Sequence, residues 1–192
     1  MTILEQVLTA NRRFVDHLPD EYLQKSSENS KLPSRQLAIF TCMDTRLVDF
    51  LEPAMGIKRG EVKMIKNAGN SVTGPFEATI RSLIVGIFEL DVKEVMVIGH
   101  LDCGVAHSTA EGLIQKMLER GISPDAIKMI EAELRSWIDH FHHPIDNIEE
   151  VVLKIRTNPL IPKDVPVHGL IFDPQTGQLE VVVDGYQAHS KQ

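Results

Sequence analysis

The side chains best suited to chemistry in this sequence are two thiols and one imidazole. Cys42 and Cys103 are its only cysteines among 192 residues, and His100 stands three positions before the second. Two thiolates and an imidazole make a borderline-soft donor set that suits zinc, at ~2.3 Å for sulfur and ~2.0–2.1 Å for nitrogen. His100-Leu101-Asp102-Cys103 offers two donors from one turn, and Cys42 must arrive from elsewhere in the chain. Three protein donors leave one tetrahedral corner for water or substrate, whereas a structural zinc site normally closes with four. Spacing alone leaves a second reading open, because paired cysteines of a reducing compartment also serve as buried small hydrophobes.

The elements around these residues bring distant segments together. Gln36–Thr41 (QLAIFT), Val62–Lys66 and Glu94–Ile98 are short apolar runs of strand length, and Cys42 and His100 each follow the end of one. Residues 2–17 read as a helix with Leu4, Val7, Leu8 and Phe14 on one face, and Ser26–Ser34 as a loop. A helix capped by Thr73 or Gly74, with Pro75 in its first turn, carries the stripe Phe76, Ile80, Leu83, Ile84, Ile87 and Phe88, read as core or dimer interface. Further helices are expected from about Val105 to Arg120, from Ser123-Pro124 through a stripe ending at Phe141, and over Ile148–Arg156. The closing HGLIFD-PQTG-QLEVVV reads as two strands around a turn. Strands alternating with helices imply an α/β fold: a mainly parallel sheet flanked by helices, with a C-terminal strand pair. Sites on such sheets gather at the carboxyl ends of the strands.

Composition narrows the function. With 43% hydrophobic residues and neither a repeat nor a composition break, residues 1–192 read as a single domain. A net charge of −7 without a basic stripe makes nucleic acid an unsuitable partner. No run approaches the ~20 apolar residues of a membrane span, and the N-terminus lacks an apolar secretory core, so a cytoplasmic protein is expected.

Cys42-Met43-Asp44-Thr45-Arg46 and His100-Leu101-Asp102-Cys103-Gly104 together resemble the signature motifs of the β-class carbonic anhydrases, Cys-x-Asp-Ser-Arg and His-x-x-Cys-Gly. Lys66-Asn67-Ala68-Gly69-Asn70 resembles that family's Arg-Asn-Ala-Gly-Asn segment. The resemblance implies one zinc per chain on Cys42, His100 and Cys103, with Asp44 and Arg46 as a dyad beside it. It implies a zinc lyase that reversibly hydrates CO2 to bicarbonate and a proton by zinc-bound hydroxide attack, and a homodimer or higher homo-oligomer. It also implies a closed state in which Asp44 becomes the fourth ligand. Thr45 departs from the family's Ser by a methyl group, and Lys66 keeps the charge of its Arg but loses the bidentate fork. Both departures bear on efficiency more than on reaction type.

The physical roles follow. Two thiolates cancel the charge of the zinc, so another group must favour or orient the hydroxide; Asp44, held by a charge-assisted fork from Arg46, can accept its hydrogen bond. Asp102 is read as the cap of a helix starting near Cys103. Asn67-Ala68-Gly69 is read as the floor of the site or an ordinary turn, and Gly104 as a turn or an amide donor to a thiolate. His107 is read as a partly buried helix histidine or a proton relay. His140, His142 and His143 are read as a helix end favoured by the helix dipole rather than a metal site. Two rival functions keep the same residues: hydrolysis of CS2 or COS at the same zinc, and a non-catalytic role in which the zinc or the two thiols serve structure or redox sensing, with a Cys42–Cys103 disulfide open to the metal-free protein.

Overall fold

The computed structural model describes residues 1–22, 31–139, 141 and 143–189. The chain divides into two units, Met1–Lys31 and Leu32–Gln192. In the first, helix α1 (Ile3–Asp16) begins at a capping box: Thr2 Oγ1 accepts from the Glu5 amide, and the Glu5 carboxylate accepts from the Thr2 amide. None of its residues is buried, its apolar face included. The expected loop Ser26–Ser34 lies mostly outside the described residues.

The second unit is built on a five-stranded sheet of order β2-β1-β3-β4-β5. Its strands are β1 (Leu37–Cys42), β2 (Val62–Asn67), β3 (Glu94–His100), β4 (Val167–Phe172) and β5 (Leu179–Val183). The first four run parallel and β5 returns antiparallel to β4, the expected architecture. Asp173 accepts from the Gln175 amide and the Thr176 hydroxyl and so sets the turn between β4 and β5.

Six buried positions in β1 explain why its sequence is a continuous apolar run rather than an alternating one: helices and loops cover the sheet on both faces. Ala38 and Phe40 join one core with Ile80 and Leu83 of α3 (Ala78–Glu89) and Ile148, Val151 and Val152 of α6 (Pro144–Thr157). Leu37 and Ile39 join the other, with Leu47, Leu51 of the short helix α2 (Leu51–Ala54), and Phe172. Each fully buried large aliphatic or aromatic side chain stabilises the fold by ~1.5–3 kcal/mol. Helix α6 comes close to the sheet because residue 169 is glycine; a Cβ there would lie 2.5 Å from Ile148 Cγ2. A smaller core joins α4 (Ala110–Glu119) to α5 (Pro124–Ile138) through Ala110, Leu134 and Ile138. Helix α7 (Gly185–His189) closes the described chain. No helix among the described residues is long and apolar enough to cross a membrane.

Several boundaries differ from expectation. Helix α3 is capped by the Glu77 carboxylate, which accepts from the Thr79 and Ile80 amides, so Thr73, Gly74 and Pro75 lie before it. Its stripe divides: Ile80 and Leu83 are fully buried, while Phe76, ahead of the helix, and Phe88 are more than half exposed. The expected helix Val105–Arg120 is broken into a 3-10 turn, Gly104–His107, and α4, because Ser108 is extended and Thr109 caps the new helix with its hydroxyl. Helix α6 starts earlier than Ile148, with Pro144 in its first turn.

Candidate metal centre

Strand β1 lies between β2 and β3, so the chain crosses over it, and the carboxyl end of β1 beside β3 is a topological switch point. Register does the rest. Thr41 of β1 is level with Ile98 of β3, and its hydroxyl donates to the Ile98 carbonyl at 2.7 Å, so Cys42 and His100 leave neighbouring strands at one edge. The turn after His100 returns Cys103 to the same place.

The donor atoms of Cys42, His100 and Cys103 lie within 4.8 Å of one another, all three residues are buried, and they are the one such group among the described residues. The two sulfurs are 3.9 Å apart and both thiols are free; a tetrahedral metal bound to both would hold them about 3.8 Å apart. His100 Nδ1 lies 2.9 Å from the Leu101 carbonyl oxygen, so this nitrogen carries the proton and donates. Nε2 is then left with a bare lone pair, buried and without a hydrogen-bond partner among the described residues. A buried acceptor without a donor is costly unless something occupies its lone pair. Two soft sulfurs and an orphaned imidazole nitrogen fit a borderline-soft divalent cation.

Charge around the sulfurs follows from their contact. The Cys42 thiol is lowered to about 4, chiefly by the hydrogen bond that Cys103 donates to it, against burial, with His100 and the amides of Gly69 and Asp44 adding to the effect. Cys103 is raised in turn, because it holds that shared proton and burial disfavours a second anion. The Val105 and Ala106 amides face its sulfur, so these residues rather than Gly104 supply the expected donors. At His100 burial works against the imidazolium, but Cys42, Leu101 and Asp44 together raise it.

Asp44 and Arg46 stand beside this group. The Asp44 carboxylate accepts the Arg46 amide at 2.8 Å, Nε at 3.0 Å and Nη2 at 2.9 Å. That fork lowers Asp44 to about 2. Asp44 Oδ2 is 3.7 Å from His100 Nε2, which puts the carboxylate at the open side of the three donors.

Other expectations are corrected. Asp102 is not a helix cap: Cys103 precedes the 3-10 turn, and the Asp102 carboxylate instead meets Arg46 Nη1 at 2.9 Å and His107 Nε2 at 3.3 Å. His107 is largely exposed rather than partly buried. Lys66 faces Glu52 at 3.3 Å. His143 stands at the N-cap position of α6 without a side-chain cap hydrogen bond, rather than at the carbonyl end of a helix, and His140 and His142 lie outside the described residues. Gly69 does line the site: its φ is +70°, its amide faces the Cys42 sulfur, and a Cβ there would lie 3.0 Å from the Phe141 ring. Phe141 itself went unrecognised as a site residue. It sits beyond the end of α5, buried in one cluster with Cys42 and Cys103.

A doubly covered parallel sheet with a Cys-His-Cys group at its switch point defines an α/β fold with a candidate metal centre. The family model described as carbonic anhydrase matches residues 37–179. The β-carbonic anhydrase isoform I of Trichomonas vaginalis is 43% identical, with a TM-score of 0.91 over 97% of this chain and 100% of that one. YvdA of Bacillus subtilis, whose carbonic anhydrase name is itself an attribution, is 40% identical over 190 residues, 97% of this chain and 94% of the relative. The carbon disulfide hydrolase of an Acidianus strain is 29% identical over 161 residues, 76% of each protein. This chain belongs to the β-carbonic anhydrase family.

Proposed function

We propose that the protein is a zinc-dependent carbonic anhydrase that reversibly hydrates CO2 to bicarbonate and a proton, with one zinc per chain held by Cys42, His100 and Cys103. The observation that carries this reading is the buried Nε2 of His100, without a hydrogen-bond partner among the described residues, facing two sulfurs with a carboxylate 3.7 Å away. Zinc bound there supplies a Lewis acid that makes water a nucleophile near neutral pH. Asp44, kept ionised by Arg46, accepts a hydrogen bond from water in the pocket and turns an oxygen lone pair toward the carbon of CO2. Burial of the sulfurs and the packing of Phe141 and Val105 against Gly69 limit bulk water beside the reacting carbon. The same carboxylate can also turn inward as a fourth ligand, which gives a closed state.

We further assign the protein to the cytoplasm, where its two free thiols stay reduced, and take residues 1–192 to act as one domain. A homodimer or larger homo-oligomer is supported by the exposed Val85 and Phe88 on α3 and by the place of β2 beside it as an outer strand of the sheet. Stopped-flow CO2 hydration by the zinc-loaded wild type and Asp44→Asn tests the reading. About a 100-fold loss with zinc retained is expected, and equal rates would refute the role of Asp44. The similarity to a carbon disulfide hydrolase supports one second reading, hydrolysis of CS2 or COS at the same centre. Turnover of the three gases by one preparation separates the two.

A further inference from the structure

Arg46 is held from two sides. Toward the candidate metal centre it forks onto Asp44. Away from it, Nη1 donates to Asp102 Oδ2 at 2.9 Å and Nη2 to the Asp102 carbonyl at 2.6 Å. A guanidinium has five N–H groups in a rigid plane, so fixing one edge fixes the direction of the other. Asp102 can face Arg46 because its own backbone is left-handed, with φ +53°, a conformation that Asp tolerates better than most residues. His107 meets the other Asp102 oxygen at 3.3 Å and keeps Oδ2 turned to Arg46.

We propose that Asp102 is a positioning residue that anchors Arg46 from behind and thereby keeps Asp44 out of the fourth corner of the metal centre. The inference rests on the zinc reading above. Asp44 has two competing partners: the Arg46 fork, and a cation beside His100 Nε2, 3.7 Å from its Oδ2. With Asp102 in place the fork presents both donors to Asp44, and the corner stays open to water or an anion. Without that carboxylate Nη1 loses its partner and the guanidinium can turn, so the fork loosens and the inward state gains. Asp102 also ties the segment carrying Cys42 to the loop carrying His100 and Cys103, which makes the balance a property of two strand ends rather than of one loop.

The test uses cobalt(II) in place of zinc and azide as the probe anion, read by the visible absorption of the metal. Asp102→Gly removes the carboxylate while accepting the left-handed backbone, and Asp102→Asn keeps that backbone and an acceptor oxygen but loses the charge. Both are expected to bind one cobalt per chain. Apparent azide affinity should fall about tenfold in Asp102→Gly and about threefold in Asp102→Asn, because an open fraction reduced tenfold weakens apparent binding tenfold. A purely structural role would lower thermal stability and leave azide affinity unchanged. Should Asp102→Gly fail to fold, Asp102→Asn alone decides. Azide affinity equal to wild type in the variant that folds overturns the inference and leaves the metal reading standing. A wild type that binds no cobalt overturns both.

Discussion

The carbonyl oxygen of Leu101 accepts the Nδ1 proton of His100, the residue next to it, at 2.9 Å, and this one contact decides that Nε2 is the nitrogen free to bind. Purified wild type is therefore expected to hold about one zinc per chain by elemental analysis, and His100→Ala less than about a tenth of that, since one of three ligands is gone. Full zinc in His100→Ala would remove His100 from the ligand set.

Cys42 and Cys103 sit 3.9 Å apart with one proton shared between them, so the metal-free pair is poised to oxidise. Protein stripped by a chelator and left in air should lose both titratable thiols together and rebind zinc only after reduction. Zinc-loaded protein should keep both. Equal loss with and without metal would mean that the sulfurs do not hold it.

Replacing Gly69 by alanine puts a side chain at φ +70° and within 3.0 Å of the Phe141 ring. A loss of about 1–3 kcal/mol in denaturant unfolding is expected. Adding Phe141→Leu should recover the crowding but not the backbone strain, so rescue stays partial; complete rescue would mean that the backbone carries no strain.

At the other end of the sheet, the Tyr186 hydroxyl donates to Glu94 Oε2 at 2.6 Å and its ring packs edge-on against His168. The hydrogen bond to Glu94, then burial, raises the phenol above its ordinary value of 10.0. The neutral phenol is the stabilised form, so its contribution is complete below pH 10 and disappears as pH rises through the raised value. Tyr186 is 56% exposed, so solvent screens the contact, and Tyr186→Phe should cost only about 0.5 kcal/mol at pH 7, with the gap to wild type narrowing above pH 10. A gap constant to pH 11 would exclude the Glu94 contact as its source.

The parallel sheet and the meeting of Cys42, His100 and Cys103 were legible because apolar runs of strand length and donor chemistry are local, and strand ends converge by a general rule. Asp102 was misread for the opposite reason. Its partner Arg46 is 56 residues away, and the left-handed turn that aims the side chain leaves no mark in composition. Phe141 looked like the last member of the α5 stripe, yet the helix stops at Ile138 and the chain swings the ring under Gly69 instead. The start of α3 was misplaced because proline and threonine signal a helix turn as readily as the glutamate that caps it.

Trp137 is the sole indole in the sequence. Its Nε1–H donates to Ser71 Oγ at 2.8 Å, the Ser71 amide donates to Asn67 Oδ1, and the Asn67 carbonyl takes the amide of Met43, the neighbour of Cys42. Three hydrogen bonds thus wire one fluorophore to the rim of the cysteine strand. The molecule carries its own optical gauge, whose emission wavelength is expected to shift when a metal loads or that rim collapses, without any attached dye.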